Sequence, residues 1–158
     1  MSHPTTQQQF EQVMANCREL FCKKLHDYGT AWRIMRPESL TDQIFIKADR
    51  IRSIQMKGKA MVDEGIVPEF VAIVNYAIIA LIQLEHGAAQ EADFNEEQAQ
   101  AAYDKYAKEC LELMLRKNHD YDEAWRGMRV SSYVDLILMK ILRTKQIEDL
   151  EGQTLVSE

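Results

Sequence analysis

The chain contains one stretch of sequence twice. Residues 17–54 and 110–147 align without a gap at an offset of 93 residues, and 18 of the 38 aligned positions are identical. The shared centre reads H-D-Y-x-x-A-W-R-x-M-R, at residues 26–36 in the first copy and 119–129 in the second. An internal repeat indicates that one structural unit is used twice. Residues kept in both copies are therefore under a common constraint, which is either structural or chemical.

Apolar residues recur at helical spacing along most of the chain, and no stretch alternates as a strand would. The first helix is predicted to begin at Thr5 or Thr6 and to end by Gly29. The motifs Ser39–Asp42 and Ser132–Asp135 resemble capping boxes and predict the starts of the second and fifth helices. The third helix should run from Pro68 to Gly87, and the fourth should be capped by Asn95 to Gln98.

These signals predict an all-α fold of about five helices in one domain over residues 1–158. Internal repeats 10–57 and 103–150, each a helical hairpin, are joined by a central apolar helix, residues 68–86. Residues 70–82 of this helix are apolar on nearly every face, so we expect the two hairpins to pack around it with approximate two-fold symmetry.

Composition limits the cellular location and the classes of partner that we expect for this protein. A net charge of -6 argues against a protein that coats nucleic acid. The chain has three cysteines without a C-x-x-C pair and no secretory signal, which predicts a cytoplasmic location. The central helix holds Asn75 and its apolar stretch is shorter than the roughly 20 residues of a membrane span, so no membrane partner is expected.

The repeated connector carries the residues most suited to a nucleotide. Trp32 or Tyr28 could stack on a base, and Arg33 and Arg36 could bind phosphate. Alternatively, the tryptophans fill the hairpin elbow and the arginines bind carboxylates or helix-end carbonyls. The cations Lys47 and Arg50 recur as Lys140 and Arg143 and suit either phosphate binding or ion pairs with nearby acids.

A second pair of candidates is catalytic. His26 and Asp27 could polarise water, with the acid orienting the imidazole. The same pair lies at a predicted helix end, where histidine favours the helix dipole and aspartate can close a turn.

Magnesium is the cofactor that hydrolysis of a nucleoside triphosphate would use, and it needs several convergent carboxylates. The candidates are Asp42, Asp49, Asp63, Glu64 and Glu69. No E-x-x-E paired with E-x-x-D is present, and no metal ligands can be assigned from the sequence.

The order Lys24-x-His26-Asp-Tyr-Gly29, then Lys47-x-x-Arg50, then Asn75-Tyr76-Ala77 resembles the nucleotide modification associated domain 1 family over roughly residues 10–85. The resemblance implies an all-α fold and a link to nucleotide metabolism or DNA-base modification. The helix pattern is also similar to the all-α nucleoside triphosphate pyrophosphohydrolases. Phage-type members often carry an acid where this chain has Ile46 and Ala72, so two potential metal ligands of the family are missing.

The predicted function is the binding, with or without pyrophosphohydrolysis, of a nucleotide or related phosphorylated metabolite. Its substrate-binding residues would be Tyr28, Trp32, Arg33, Arg36, Lys47, Arg50 and Asn75. The alternative is a non-catalytic helical scaffold or regulatory homo-oligomer that uses the same residues as structural contacts. If one site is active, we expect the first copy to build it, because only that copy continues directly into the central helix.

Overall fold

The computed structural model describes residues 5–58 and 65–155. The described residues are 81% helical and contain no strand, which confirms the all-α prediction. The five α-helices are α1 (Thr6–Tyr28), α2 (Pro37–Lys57), α3 (Val67–His86), α4 (Glu96–Tyr121) and α5 (Val130–Asp149). A short 3-10 turn separates the helices of each hairpin: the first elbow (Ala31–Ile34) and the second elbow (Ala124–Gly127).

The helix starts agree with the capping predictions at α1 and α4 and differ from them at α2 and α5. Thr5 with Gln8, and Asn95 with Gln98, form reciprocal capping boxes. The other two predictions were wrong, because α2 begins at Pro37 and α5 begins at Val130. Proline at the first position of α2 presets the helical φ and has no N–H to leave unpaired, so this helix starts before its serine.

The core lies where α3 packs against α1, α2 and α4. The prediction that both hairpins surround α3 does not describe α5, which packs mainly against α2. The physical reason is that Val134 and Leu138 of α5 bury themselves against Ile44, Ala48 and Ile51 of α2. One buried cluster joins α1, α3 and α4 with Leu40 of α2, and a second joins α2, α3 and α5.

The two copies differ in how far their second helix is covered. On α2 the residues that face α3 are fully or almost fully buried: Leu40, Ile44, Ala48 and Ile51. Their counterparts on α5 are partly or fully exposed: Tyr133, Ile137, Ile141 and Thr144. In the described part of the chain, no helix packs against the second hairpin in the way that α3 packs against the first. The second hairpin therefore keeps an exposed apolar side.

Helix α3 is the one helix among the described residues long and apolar enough, by length and composition, to cross a membrane. Its buried polar residues bond to other parts of the protein. The Asn75 side chain donates to the Cys17 carbonyl at 3.1 Å and accepts from the Tyr103 hydroxyl at 2.7 Å. These bonds suit a helix packed inside a helical domain, and the absence of a membrane partner stays a prediction.

The start of the first elbow depends on Gly29, which has φ +65° and ψ −148°. This conformation is essentially restricted to glycine. The equivalent residue of the second copy is Asp122, and that copy turns differently, with Asp122 and Glu123 both left-handed at φ 49° and 63°. The replacement of one glycine therefore changes the path of the second elbow.

We predict that Gly29→Ala lowers the free energy of unfolding by on the order of 1–3 kcal/mol. An added Cβ would meet no atom within 4 Å, so the cost comes from the backbone alone. Gly127→Ala is the matched control, since Gly127 has no positive φ and equally open surroundings. Its effect should stay within roughly 0.5 kcal/mol in urea unfolding. Equal losses for the two variants would contradict this account of the elbow.

Candidate functional site

A pocket of about 410 Å³ opens between α1, the first elbow, α2 and α3. We call it the motif pocket, because Lys24, Tyr28, Gly29, Lys47 and Asn75 of the sequence motifs all line it. Its other lining residues are mainly apolar: Leu20, Phe21, Leu25, Ala31, Trp32, Ile34, Met35, Ala72, Tyr76 and Ile79. Residues up to 59 positions apart thus converge on one cavity, and all of them come from the first copy and α3.

A buried carboxylate organises the cations on the α2 side of this pocket. Glu69, whose side chain is only 9% exposed, forms an ion pair with the Arg50 guanidinium at 3.0 Å, and the Lys47 ammonium lies 3.4 Å from its other oxygen. One negative charge therefore holds two positive charges in place. Of these two cations, Lys47 lines the pocket and Arg50 does not. Lys24 is the second cation of the lining, so the lining is positive in a chain whose net charge is -6.

Aromatic rings form the other side of the motif pocket. Trp32 is partly buried and is held by Phe21 and Phe94, with ring centroids 6.2 and 6.1 Å away. Tyr76 lines the wall from α3, and Tyr28, which is 76% exposed, lies at the rim. These rings present apolar surface beside the cations, an arrangement typical of sites for flat, charged ligands.

Arg33 lies outside this pocket, against the expectation that it faces phosphate. Its side chain is 4% exposed and pairs with Asp93 at 2.8 Å, with the Gly87 carbonyl at 2.9 Å and with the Gln83 amide oxygen. The bond from Arg33 lowers the pKa of Asp93. Its guanidinium also stacks on Phe94. Arg33 therefore serves the structural role that was the alternative for the repeated arginines.

Other predicted residues are also placed away from the pocket. Arg36 is the exposed N-cap of α2, with Glu38 3.9 Å away. His26 and Asp27 lie on an outer face of α1, where Glu96 is 3.9 Å from the His26 ring. Asn75 does line the pocket, but both ends of its amide are already bonded inside the protein. The catalytic pair and the binding residues are thus not brought together.

The described residues do not assemble a magnesium site. No group of three metal-ligating side chains occurs among them. Asp42 lies 4.0 Å from Lys145, Asp49 is exposed, and Glu69 is engaged by two cations. The remaining candidates, Asp63 and Glu64, lie outside the described residues. The expectation of magnesium therefore stays a prediction, and no chemical step is derived from it.

No sequence signal predicted the polar network at the second elbow. The Glu123 carboxylate accepts from the Thr6 hydroxyl, from Asn118 at 2.9 Å, from Arg126 at 3.0 Å and from the Trp125 indole at 3.2 Å. These bonds tie the start of α1 to the second copy. The hydrogen bond from Thr6, then that from Asn118, lowers the pKa of Glu123 to about 2.

Sequence reasoning also missed Gln83 and Asp93. Gln83 is completely buried and donates to the carbonyls of Arg33 and Met35, at 2.8 and 2.6 Å. In the sequence it marks only the polar end of the apolar stretch of residues 70–82 in α3. A glutamine one turn before the end of such a helix is a signal that could have identified it, because a buried amide must find partners.

The fold and pocket define a helical-hairpin repeat protein with one cation-lined cavity in its first copy. The family model described as nucleotide modification associated domain 1 matches residues 24–84 and 117–158, which together make up well over half of the chain. The chain belongs to this family, as its sequence motifs had indicated. The chain matches no curated protein and no solved structure. The likeness to pyrophosphohydrolases therefore stays a prediction.

We predict that Arg33→Met lowers the free energy of unfolding by roughly 1.5–3 kcal/mol, because it leaves Gln83 and Asp93 without their charged partner. Arg126→Met, at the equivalent position, should cost about 1 kcal/mol or less, since its side chain is 35% exposed. Urea unfolding of both variants measures the difference. A smaller loss for Arg33→Met than for Arg126→Met would contradict the structural role of Arg33.

Glu123 generates a pH-dependent prediction. A carboxylate with a lowered pKa stabilises the fold above its ordinary pKa of 4.5 and loses that contribution as the pH falls toward 2. The difference in melting temperature between wild type and Glu123→Gln should therefore be constant above about pH 5 and shrink as the pH falls below 4.5. A difference that persists unchanged at about pH 2 would show that the charge of Glu123 is not involved.

Proposed function

We propose that the motif pocket binds a nucleotide or a closely related phosphorylated metabolite. The observation that carries this proposal is the convergence of Lys24, Lys47, Tyr28 and Tyr76 on one cavity, although they come from three helices. The volume of about 410 Å³ lies in the range of roughly 300–1,000 Å³ typical of small-molecule pockets. The description of the family, which links it to nucleotide modification, supports the same class of ligand.

The phosphate would be bound on the α2 side. Glu69 uses only part of the hydrogen-bonding capacity of its two partners: a guanidinium has five N–H donors and an ammonium has three. Lys47, which lines the pocket, therefore keeps ammonium donors that can bind phosphate oxygens while Glu69 fixes its position. Arg50 pairs with the same carboxylate from outside the lining. Lys24 adds charge from α1. Bonds between such cations and phosphate are about twice as strong as neutral hydrogen bonds.

The base would lie against the aromatic side. Trp32 is fixed by two neighbouring rings, so stacking on it costs little further ordering. Tyr28 at the rim could close over the other face of the base, since its side chain is largely exposed. Stacking of a base on an aromatic side chain contributes roughly 1–3 kcal/mol and tolerates different bases.

We propose binding and do not extend the proposal to hydrolysis. The candidates for water activation, His26 and Asp27, line an outer face of α1, and Glu69 is neutralised by its cations. The scaffold alternative retains support at the repeated arginines, because Arg33 and Arg126 pair with carboxylates. It does not explain a cavity whose lining holds two lysines, Lys24 and Lys47, and no acid.

The two tryptophans make the test site-specific, because Trp32 lines the motif pocket and Trp125 lies in the second copy. In a Trp125→Phe background, fluorescence of Trp32 should be quenched by one or more ribo- or deoxyribonucleoside 5′-monophosphates. Lys47→Met should weaken this binding by about tenfold or more, as expected for loss of a charged hydrogen bond.

Lys140→Met is the matched control, because Lys140 is the equivalent exposed residue of the second copy. It should leave the affinity unchanged. Melting temperatures of both variants must be measured, since Lys47 also neutralises Glu69. Absence of any Trp32 response to the nucleotide panel, or equal losses for the two lysine variants, would refute the proposed site.

A further inference from the structure

The second copy has a cavity of its own. A groove of about 810 Å³ opens between α4, the second elbow, the start of α5 and the first two turns of α1. We call it the repeat groove. Its exposed surface is almost entirely apolar, with Phe10, Val13, Leu113, Tyr121, Trp125 and Met128 along its walls.

The repeat groove is built from the positions that build the motif pocket. At an offset of 93, eight positions line both cavities, and six of them hold the same residue in each copy. The identical pairs include Tyr28 with Tyr121 and Trp32 with Trp125. The others are Leu20 with Leu113, Lys24 with Lys117, Ala31 with Ala124 and Met35 with Met128. The aromatic surface that suits a flat ring is therefore present twice.

The charges of the two cavities differ. In the motif pocket, α3 closes one side and Lys47 belongs to the lining, whereas the repeat groove is closed by α1 and its counterpart, Lys140, does not line it. A carboxylate is instead close by, because Glu123 is bonded to Thr6 and Asn118 of the groove wall. Arg126 pairs with this carboxylate at 3.0 Å, so Lys117 is the one cation that the groove lining offers to a ligand, against Lys24 and Lys47 in the motif pocket.

The wall contributed by α1 also carries an unmet hydrogen-bond acceptor. The side-chain oxygen of Gln9 is buried and has no hydrogen-bond partner among the described residues. Buried amide oxygens normally have a partner. Rotation of this amide toward the groove would let it accept from an N–H or O–H group of a ligand. An uncharged ring with a donor on its edge meets both the aromatic wall and this acceptor.

We propose that the repeat groove is a second binding site, which takes an uncharged heteroaromatic ring bearing a hydrogen-bond donor, of the class of a nucleoside without phosphate. This inference rests on the proposed function only for the analogy between the two cavities. The chain would then bind the same kind of ring at two sites, with phosphate in the first copy and without it in the second.

The test uses Trp32→Phe, which leaves Trp125 as the single tryptophan, and adenosine with adenosine 5′-monophosphate as probes. Adenosine should quench Trp125 at a concentration about tenfold or more below that needed for the monophosphate. Tyr121→Ala should weaken adenosine binding, and Tyr28→Ala, its equivalent in the motif pocket, should not. Both tyrosines are more than 70% exposed, at 71% and 76%, so both variants should fold.

Three results would overturn the inference. They are no Trp125 response to adenosine, equal or tighter binding of the monophosphate, and a dimer in sedimentation experiments whose formation buries Trp125 and blocks adenosine. The proposed function is tested separately, because its signal is Trp32 in the Trp125→Phe protein. A response of Trp32 to nucleotides with a silent Trp125 would therefore reject the second site and leave the first intact.

Discussion

The buried guanidinium of Arg33 determines the geometry of the first copy. It joins the first elbow to the end of α3 through Gln83 and Gly87, and to the segment before α4 through Asp93. A buried charge is costly unless it is paired, so the elbow, α3 and the following loop must form together. Because Gln83 returns two bonds to the backbone of the elbow, the wall that carries Trp32 is held in one position relative to α3.

This linkage explains why the two copies share a motif but hold it with different contacts. The first copy has α3 beside it, which supplies Glu69 and thereby fixes Lys47 and Arg50. In the second copy α5 packs against α2, and no helix of the described residues lies beside that copy as α3 lies beside the first. The second elbow is stabilised by Glu123 and by the Tyr133 hydroxyl, which donates to the Trp125 carbonyl. The same tryptophan-arginine pair is thus held by different partners, and only one copy gathers cations.

Much of the fold could be predicted from the sequence, because helical periodicity, glycine ends and two capping boxes are local signals. The starts of α2 and α5 could not be predicted correctly. Ser39 and Ser132 have the sequence pattern of helix caps, but they lie inside helices that begin two residues earlier. For the site, Lys47, Tyr28 and Trp32 were identified from the repeat and lie in one pocket. The role of Arg33 could not be read, because repetition preserves structural and binding residues alike, and only its burial separates the two. The position of α5 on α2 depended on tertiary packing that no local pattern specifies.

The central claim is that the first copy, and not the second, holds the phosphorylated ligand. The two indole N–H groups give one resolved NMR signal each in a uniformly ¹⁵N-labelled protein, and Trp32→Phe and Trp125→Phe assign them. On titration with a nucleoside monophosphate that stabilises the protein, the Trp32 signal should shift in a saturable way, with the Trp125 signal unchanged over the same concentrations. A shift of Trp125 at lower ligand concentration than Trp32, or saturable binding with neither signal moved, would contradict the account.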